Sequence, residues 1–192
     1  TSRLTNIDTL EDATFAGTAK ALKARLILTE GLSAKTFAMS ALNVIGRDCY
    51  GIFPLKGKLL NVRNVAISRV SANEEISNIV KILGLKYDLK YESDADIKTL
   101  RYGGVIVLAD SDVDGIHICG LIINYFHMFW PAILEKGFVS FCITPIVKVY
   151  KGKDILQFYT LHSYEEWLSS AKGTFKTKYF KGLGTSTAAE AR

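Results

Sequence analysis

Asp110, Asp112 and Asp114 stand two residues apart and lead straight into Gly115. Carboxylates packed this closely raise one another's pKa unless something positive sits among them. A hard divalent cation with oxygen ligands meets that need, and Mg2+ suits an oxygen-only donor set. A polar loop with Asp at a helix N-terminus would explain one or two of these acids through the helix dipole. It does not explain three after so apolar a lead-in.

Glu30 is the second such residue. It ends the run Arg25-Leu26-Ile27-Leu28-Thr29 and is followed by Gly31. A glutamate at a strand end is weak evidence alone. If both runs belong to one parallel sheet, however, Glu30 meets Asp110 and Asp112 on the same rim, around one ion. Two basic turns, Lys56-Gly57-Lys58 and Lys181-Gly182-Leu183-Gly184, add lysines beside glycines. Glycine lets backbone approach a ligand closely, and lysine offers phosphate a point charge. A metal flanked by such turns suits a phosphodiester, whose attacking and leaving oxygens it can stabilise.

Other chemistries fit less well. Asp110-x-Asp112-x-Asp114-Gly115 opens like an EF-hand loop, but position twelve is Leu121 where that loop needs Glu, and the preceding element is no helix. Aspartyl-phosphate formation on Asp110, with Asp112 as acid, leaves Glu30 and the basic turns without a role. His117 and His127 read as ordinary helix residues. Cys49, Cys119 and Cys142 form no CxxC pair, and their odd number argues against a disulfide framework and for a reducing compartment.

The elements that must carry these residues follow from patterning. Val105-Ile106-Val107-Leu108-Ala109 reads as a strand buried on both faces. Ile116–Lys136 then reads as one long, widely apolar helix. Ser33 is the expected N-cap of a helix ended by Gly46. Tyr50–Leu55 is a second strand, and Glu74–Leu83 a helix closed by Gly84. Residues 61–73 give no clear pattern, and Asp88–Asp96 reads as an exposed loop. Lys151–Asp154 turns a hairpin into Ile155–Thr160, Ser163–Ser170 is a short helix, and a last strand lies near Phe175–Phe180. Strands alternating with helices give an α/β fold, a mainly parallel sheet flanked by helices, with an added antiparallel hairpin. Residues 1–24 read as a lead-in arm outside the core.

The 192 residues carry a net charge of +5, with 48% hydrophobic and 22% charged residues. That is ordinary for a globular core and permits, without requiring, an anionic partner. No apolar run is long enough to span a membrane, and no signal-peptide pattern opens the chain. Neither end carries clear punctuation, as in part of something longer.

Four motifs occur together: Leu28-Thr29-Glu30-Gly31-x-Ser33-Ala34, Pro54-Leu55-Lys56-Gly57-Lys58-x-x-Asn61-Val62, Asp110-x-Asp112-x-Asp114-Gly115-x-His117-Ile118 and Lys181-Gly182-Leu183-Gly184-Thr185-Ser186. In this order they resemble the TOPRIM region of type IIA DNA topoisomerases of the eukaryotic kind. Leu10, Asp12-Ala13 and Ala16-Gly17 resemble the segment just upstream, and Ile143-Thr144-Pro145-Ile146-Val147-Lys148 a segment further on. The resemblance covers nearly the whole chain and implies a Rossmann-like TOPRIM fold. It implies a lead-in arm from a preceding domain over 1–24, the metal-binding domain over 25–180, and the start of the connection to a winged-helix cleavage domain over 181–192.

The function implied is the Mg2+-binding part of an ATP-dependent homodimer. That enzyme cuts both strands of one DNA duplex through a 5′-phosphotyrosine, passes another duplex through, and reseals. By the same resemblance Glu30, Asp110 and Asp112 hold Mg2+, as one or two ions, with Asp114 supporting and Mn2+ or Ca2+ able to substitute in binding. Glu30 also serves as a candidate acid–base at the 3′-hydroxyl. Lys58 and Asn61 match positions that touch DNA near the scissile bond, with Lys56 and Lys181 as weaker candidates. The catalytic tyrosine and the ATP site belong to other domains, and none of the nine tyrosines here lies in a matching motif. The implied location is the nucleus for a cellular enzyme, or the host cytoplasm for a virus replicating there. The alternatives are a stand-alone TOPRIM nuclease or primase, and a non-catalytic DNA- or partner-binding module. Three departures mark a divergent member: Leu32 where the family usually has Asp, Lys56 where it has Arg, and Ile116 where it has Ser. Lys56 gives up the bidentate phosphate geometry of arginine.

Overall fold

The computed structural model describes residues 4, 6–110, 112–142 and 144–180. Two sheets organise it. The first contains β1 (Arg25–Glu30), β2 (Tyr50–Leu55), β3 (Val105–Leu108) and β4 (Val139–Cys142), all parallel, in the order β2-β1-β3-β4. The second is antiparallel and contains β5 (Val147–Lys151), β6 (Asp154–Phe158) and β7 (Lys176–Tyr179), in the order β6-β5-β7. The sequence predicted a hairpin at this point; β7 adds a third strand to it.

The parallel sheet is covered on both faces, which is why β1 and β3 read as continuous apolar runs. On one face α1 (Gly31–Ile45) lays Ala34, Ala38 and Leu42 against Ile27, Ile52 and Leu108. On the other, α3 (Glu74–Leu83) and α5 (Val113–Phe129) bring Ile76, Ile79, Ile118 and Ile122 to Leu26, Leu28, Phe53, Val105 and Val107. Pro54 cannot donate to a ladder, and β2 tolerates it because β2 is an edge strand.

Several expected boundaries shift, each for a physical reason. α1 starts at Gly31 with Glu30 as N-cap, so Ser33 falls inside the first turn and is not the cap. Residues without clear patterning contain a short helix, α2 (Ile67–Ala72). The stretch around 88–96 is not simply exposed: Tyr91 is fully buried there, and Ser93 caps a one-turn helix, α4 (Asp94–Ile97). The long helix is broken in two. Pro131 disfavours helical geometry at the residue before it, and Trp130 sits at φ −145°, ψ 66°. The chain restarts as α6 (Pro131–Glu135). Trp130 is buried among Tyr87, Tyr125 and Phe126, and its indole N–H donates to the Lys86 carbonyl at 3.0 Å. α7 (Leu161–Ser170) begins two residues earlier than expected, capped by Thr160.

The segment before residue 25 packs into the core rather than standing outside it. Ile7, Ala13 and Ala24 belong to the main apolar cluster, with Leu10 and Phe15 packed against it. The Glu11 and Ile52 backbones exchange hydrogen bonds at 2.9 and 2.8 Å. Asp12 accepts from the Tyr102 hydroxyl at 2.5 Å and pairs with Arg101 at 2.6 Å. Burial pushes the Tyr102 hydroxyl far above its usual pKa.

Candidate metal and DNA site

β1 and β3 are adjacent and in register, Thr29 opposite Leu108. The chain leaves β1 toward β2 on one side, while β3 lies on the other. Their carboxyl ends therefore form the crevice where open α/β sheets bind ligands. Glu30 closes β1 and Asp110 follows β3 by two residues. The Asp110 backbone N–H donates to Glu30 Oε2 at 3.4 Å, so the ends of the two strands meet.

The turn out of β1 is made by Gly31 at φ +72°. The turn out of β3 depends on Gly115. A Cβ there would overlap the Asp110 carbonyl oxygen, so only glycine lets the first turn of α5 sit this close to the strand end. The Gly115 N–H donates to Asp112 Oδ1 at 2.9 Å, making Asp112 the N-cap of α5. Asp114 lies in the first turn and pairs with Lys58 at 2.7 Å.

Glu30 registers the crowding. Burial pushes its carboxyl above the usual range, the Asp110 N–H pulls it partly back, and the charges of Asp112, Asp110 and Asp114 push it up again. The Asp114 carboxyl is held below its usual range by the hydrogen bond and charge of Lys58. The Lys58 ammonium is correspondingly raised by Asp114 and, more weakly, by Glu30. Burial and then the Glu30 charge push the Cys119 thiol up, keeping it protonated and inert.

The acids are gathered unequally. The Glu30 carboxylate meets the Asp110 backbone N–H, whereas the Asp112 and Asp114 carboxylates face Gly115 and Lys58. Among the described residues no three His, Cys, Asp or Glu side chains are grouped tightly enough to hold an ion as they stand. The donor set itself is all oxygen and anionic, and its mutual repulsion at Glu30 is what a hard cation relieves. Of the basic candidates, Lys58 reaches this rim. Lys56 does not: its ammonium pairs with Glu74 at 3.2 Å and its backbone N–H donates to Glu75, at the start of α3. Asn61 is exposed and its Oδ1 accepts the Arg63 N–H at 3.1 Å. Lys181 lies outside the described residues. The direct Lys58–Asp114 link and the closeness of Gly115 to Asp110 were not foreseen. The Asp-Gly pair opening a helix was the only sequence signal for the latter.

Residues 25–143 match the Toprim domain family, and residues 142–192 match the C-terminal associated domain of TOPRIM. The chain belongs to the Toprim family. The Toprim chain is 53% identical over 194 residues to DNA topoisomerase 2 top-2 of Caenorhabditis elegans. It is 51% identical over 193 residues to DNA topoisomerase 2-alpha of Cricetulus griseus. Each match covers 100% of this chain, which spans 13% of the length of either relative. Among solved structures it superposes on the DNA-binding, cleavage and re-ligation domain of Plasmodium falciparum topoisomerase II. That match has TM-score 0.90 and 49% identity, covering 100% of this chain and 26% of the other. The Toprim chain is thus an α/β TOPRIM domain of the eukaryotic topoisomerase II kind. No helix among the described residues is long and apolar enough to cross a membrane.

Proposed function

We propose that this domain is the Mg2+-binding part of the cleavage and religation site of an ATP-dependent type IIA DNA topoisomerase acting as a homodimer. The observation that carries this reading is the meeting of Glu30 and Asp110 at the adjacent strand ends, under the charge of Asp112 and Asp114. Glu30, Asp110 and Asp112 are the residues that would hold one or two ions. The ion would supply charge neutralisation to the oxygens of the scissile phosphate. Asp112 must leave its cap on Gly115 to join the set. Asp114 supports from one step further out, through Lys58.

The remaining roles belong to the chain's own side chains. Burial and the neighbouring carboxylates already push the Glu30 carboxyl above its usual range, the direction that suits an acid–base at the 3′-hydroxyl. Lys58 stands between the acids and solvent, where it can pass its charge from Asp114 to a DNA phosphate. Asn61 offers an exposed amide along the same turn. Lys56 and Lys181 are the weaker DNA contacts. The attacking tyrosine comes from a winged-helix domain reached beyond residues 181–192, and the ATP site lies in another part of the full polypeptide. Residues 1–24 join the domain to what precedes it. The enzyme works in the nucleus if cellular and in the host cytoplasm if viral.

One observation favours the second reading, a non-catalytic DNA- or partner-binding module: the Asp112 and Asp114 carboxylates are already satisfied by Gly115 and Lys58. That reading requires that no Mg2+ binds. ATP-dependent relaxation of supercoiled DNA by the full-length protein decides, with Glu30→Ala and Asp110→Ala beside it. Relaxation by wild type and its loss in both variants is expected. Relaxation retained in both sinks the metal assignment, and single-strand nicking without ATP points to a nuclease.

A further inference from the structure

Lys58 reaches the acid rim from a turn that burial holds only at its ends. Leu55 closes β2 opposite Glu30, so the chain passes the rim as it leaves the strand. Leu55 before the turn, and Leu59 and Val62 after it, are buried in the main apolar cluster. Lys56, Gly57 and Lys58 between them are all exposed, and a Cβ on Gly57 would meet nothing within 4 Å. An exposed segment with a glycine at its centre keeps its conformational freedom unless something polar grips it.

Glu75 supplies that grip. Both of its carboxylate oxygens accept the Lys56 backbone N–H, each at 3.0 Å. A bond to the main chain fixes where the backbone runs. The neighbouring ion pair of Glu74 with the Lys56 ammonium joins two exposed side chains and fixes little. Glu75 itself stands on a rigid base. It lies in the first turn of α3, which Asn73 caps by accepting the Ile76 N–H at 3.0 Å. Ile76 and Ile79 bury that helix in the same cluster as Leu55 and Leu59. The helix dipole favours an acid in a first turn, which accounts for a carboxylate at this position. It does not account for one that reaches out of its helix to a main-chain donor nineteen residues away. With the Lys56 N–H aimed at α3, the chain two residues on places Lys58 Nζ 2.7 Å from Asp114 Oδ1.

We infer that Glu75 is a positioning residue: by gripping the Lys56 backbone it sets the course of the turn and holds Lys58 over the acid rim. The grip stands apart from the proposed function; its consequence for a DNA phosphate at Lys58 rests on that reading. Two variants separate the grip from a charge that merely suits a helix start. Glu75→Asp keeps the charge and is one methylene too short to reach Lys56. Glu75→Gln keeps the reach and gives up the charge. The full-length protein is digested with limiting trypsin, and nicking after Lys56 and Lys58 is followed by mass spectrometry against nicking elsewhere. Cleavage of a transiently opened segment tracks its open population, and loss of one hydrogen bond raises that population about two- to tenfold. Glu75→Asp should speed nicking in the turn by that factor and leave other sites unchanged, with Glu75→Gln closer to wild type. Mg2+-dependent cleavage of a duplex is then measured in a double-mutant cycle with Lys58→Met. Glu75→Asp should slow cleavage while Lys58 is present and add nothing once it is replaced, because residues that act as a unit are not additive.

Turn nicking unchanged in Glu75→Asp overturns the inference. So does nicking that rises equally across the molecule, the mark of a residue that only stabilises the fold. A Glu75→Gln protein nicked faster than Glu75→Asp also overturns it, because charge and not reach would then matter. Independent effects of Glu75→Asp and Lys58→Met on cleavage overturn it as well. Wild type that does not cleave duplex counts against the proposed function alone, and the trypsin result then decides this inference.

Discussion

Lys58 Nζ lies 2.7 Å from Asp114 Oδ1, tying the turn after β2 to the first turn of α5. This link brings the Pro54–Asn61 turn onto the acid rim and spends one of the acids on a lysine. It also explains why Asp114 is the least suited of the four acids to reach an ion directly.

The pair has a pH signature. Asp114 is depressed below its ordinary 3.8, so its stabilising contribution is present above that value and is lost as pH falls through the lower folded pKa. Lys58 is raised above its ordinary 10.5, so its contribution holds below that value and is lost as pH rises through the higher folded pKa. Thermal melting of wild type and Lys58→Met should differ slightly between these limits, because both groups are exposed. The difference should shrink toward either extreme. A constant difference across the acid limb contradicts the assignment.

Gly115→Ala should destabilise the domain by about 1–3 kcal/mol, read as a lower urea midpoint. The added methyl would overlap the Asp110 carbonyl oxygen, which is backbone and cannot swing aside. An unchanged midpoint would show that α5 can move off the strand end freely.

Tyr102→Phe removes the hydroxyl that donates to Asp12 and accepts the Ala13 N–H. Leaving buried polar groups unpaired should cost about 1–3 kcal/mol. In wild type, burial raises the Tyr102 and Tyr125 hydroxyls, so the folded state favours their neutral form. That stability is complete below the ordinary tyrosine pKa of 10.0 and is lost as pH rises beyond it. Alkaline titration followed by tyrosine absorbance should show these two ionising only as the protein unfolds.

Much of this arrangement was legible in the sequence. The apolar runs ending at Glu30 and before Asp110 located β1 and β3, and parallel pairing then required their ends to meet. Glu74–Leu83 with Gly84 matched its helix because the apolar spacing and the αL cap agree. What escaped depended on distant partners. Asp12 finds Arg101 and Tyr102 about ninety residues away, so nothing local marked the first segment as core. Tyr91 is buried by Trp130 across the fold, inside a stretch whose composition is that of an exposed loop. The apolar pattern runs on through Pro131 and masked the break there. Lys56 and Lys58 look equivalent on paper; Glu74 and Asp114 separate them.

The central claim is that Glu30 and Asp110 hold a divalent ion, and it is tested by titrating the protein with Mn2+, followed by electron paramagnetic resonance and competed with Mg2+. Glu30→Gln removes the charge that burial and crowding disfavour, so without metal it should match or exceed wild-type stability at neutral pH, by less than about 1 kcal/mol for a group only partly withdrawn from solvent. Saturable Mn2+ binding displaced by Mg2+ in wild type, and lost in both Glu30→Gln and Asp110→Asn, is the result expected. Equal binding in all three proteins, or none in wild type, would contradict it.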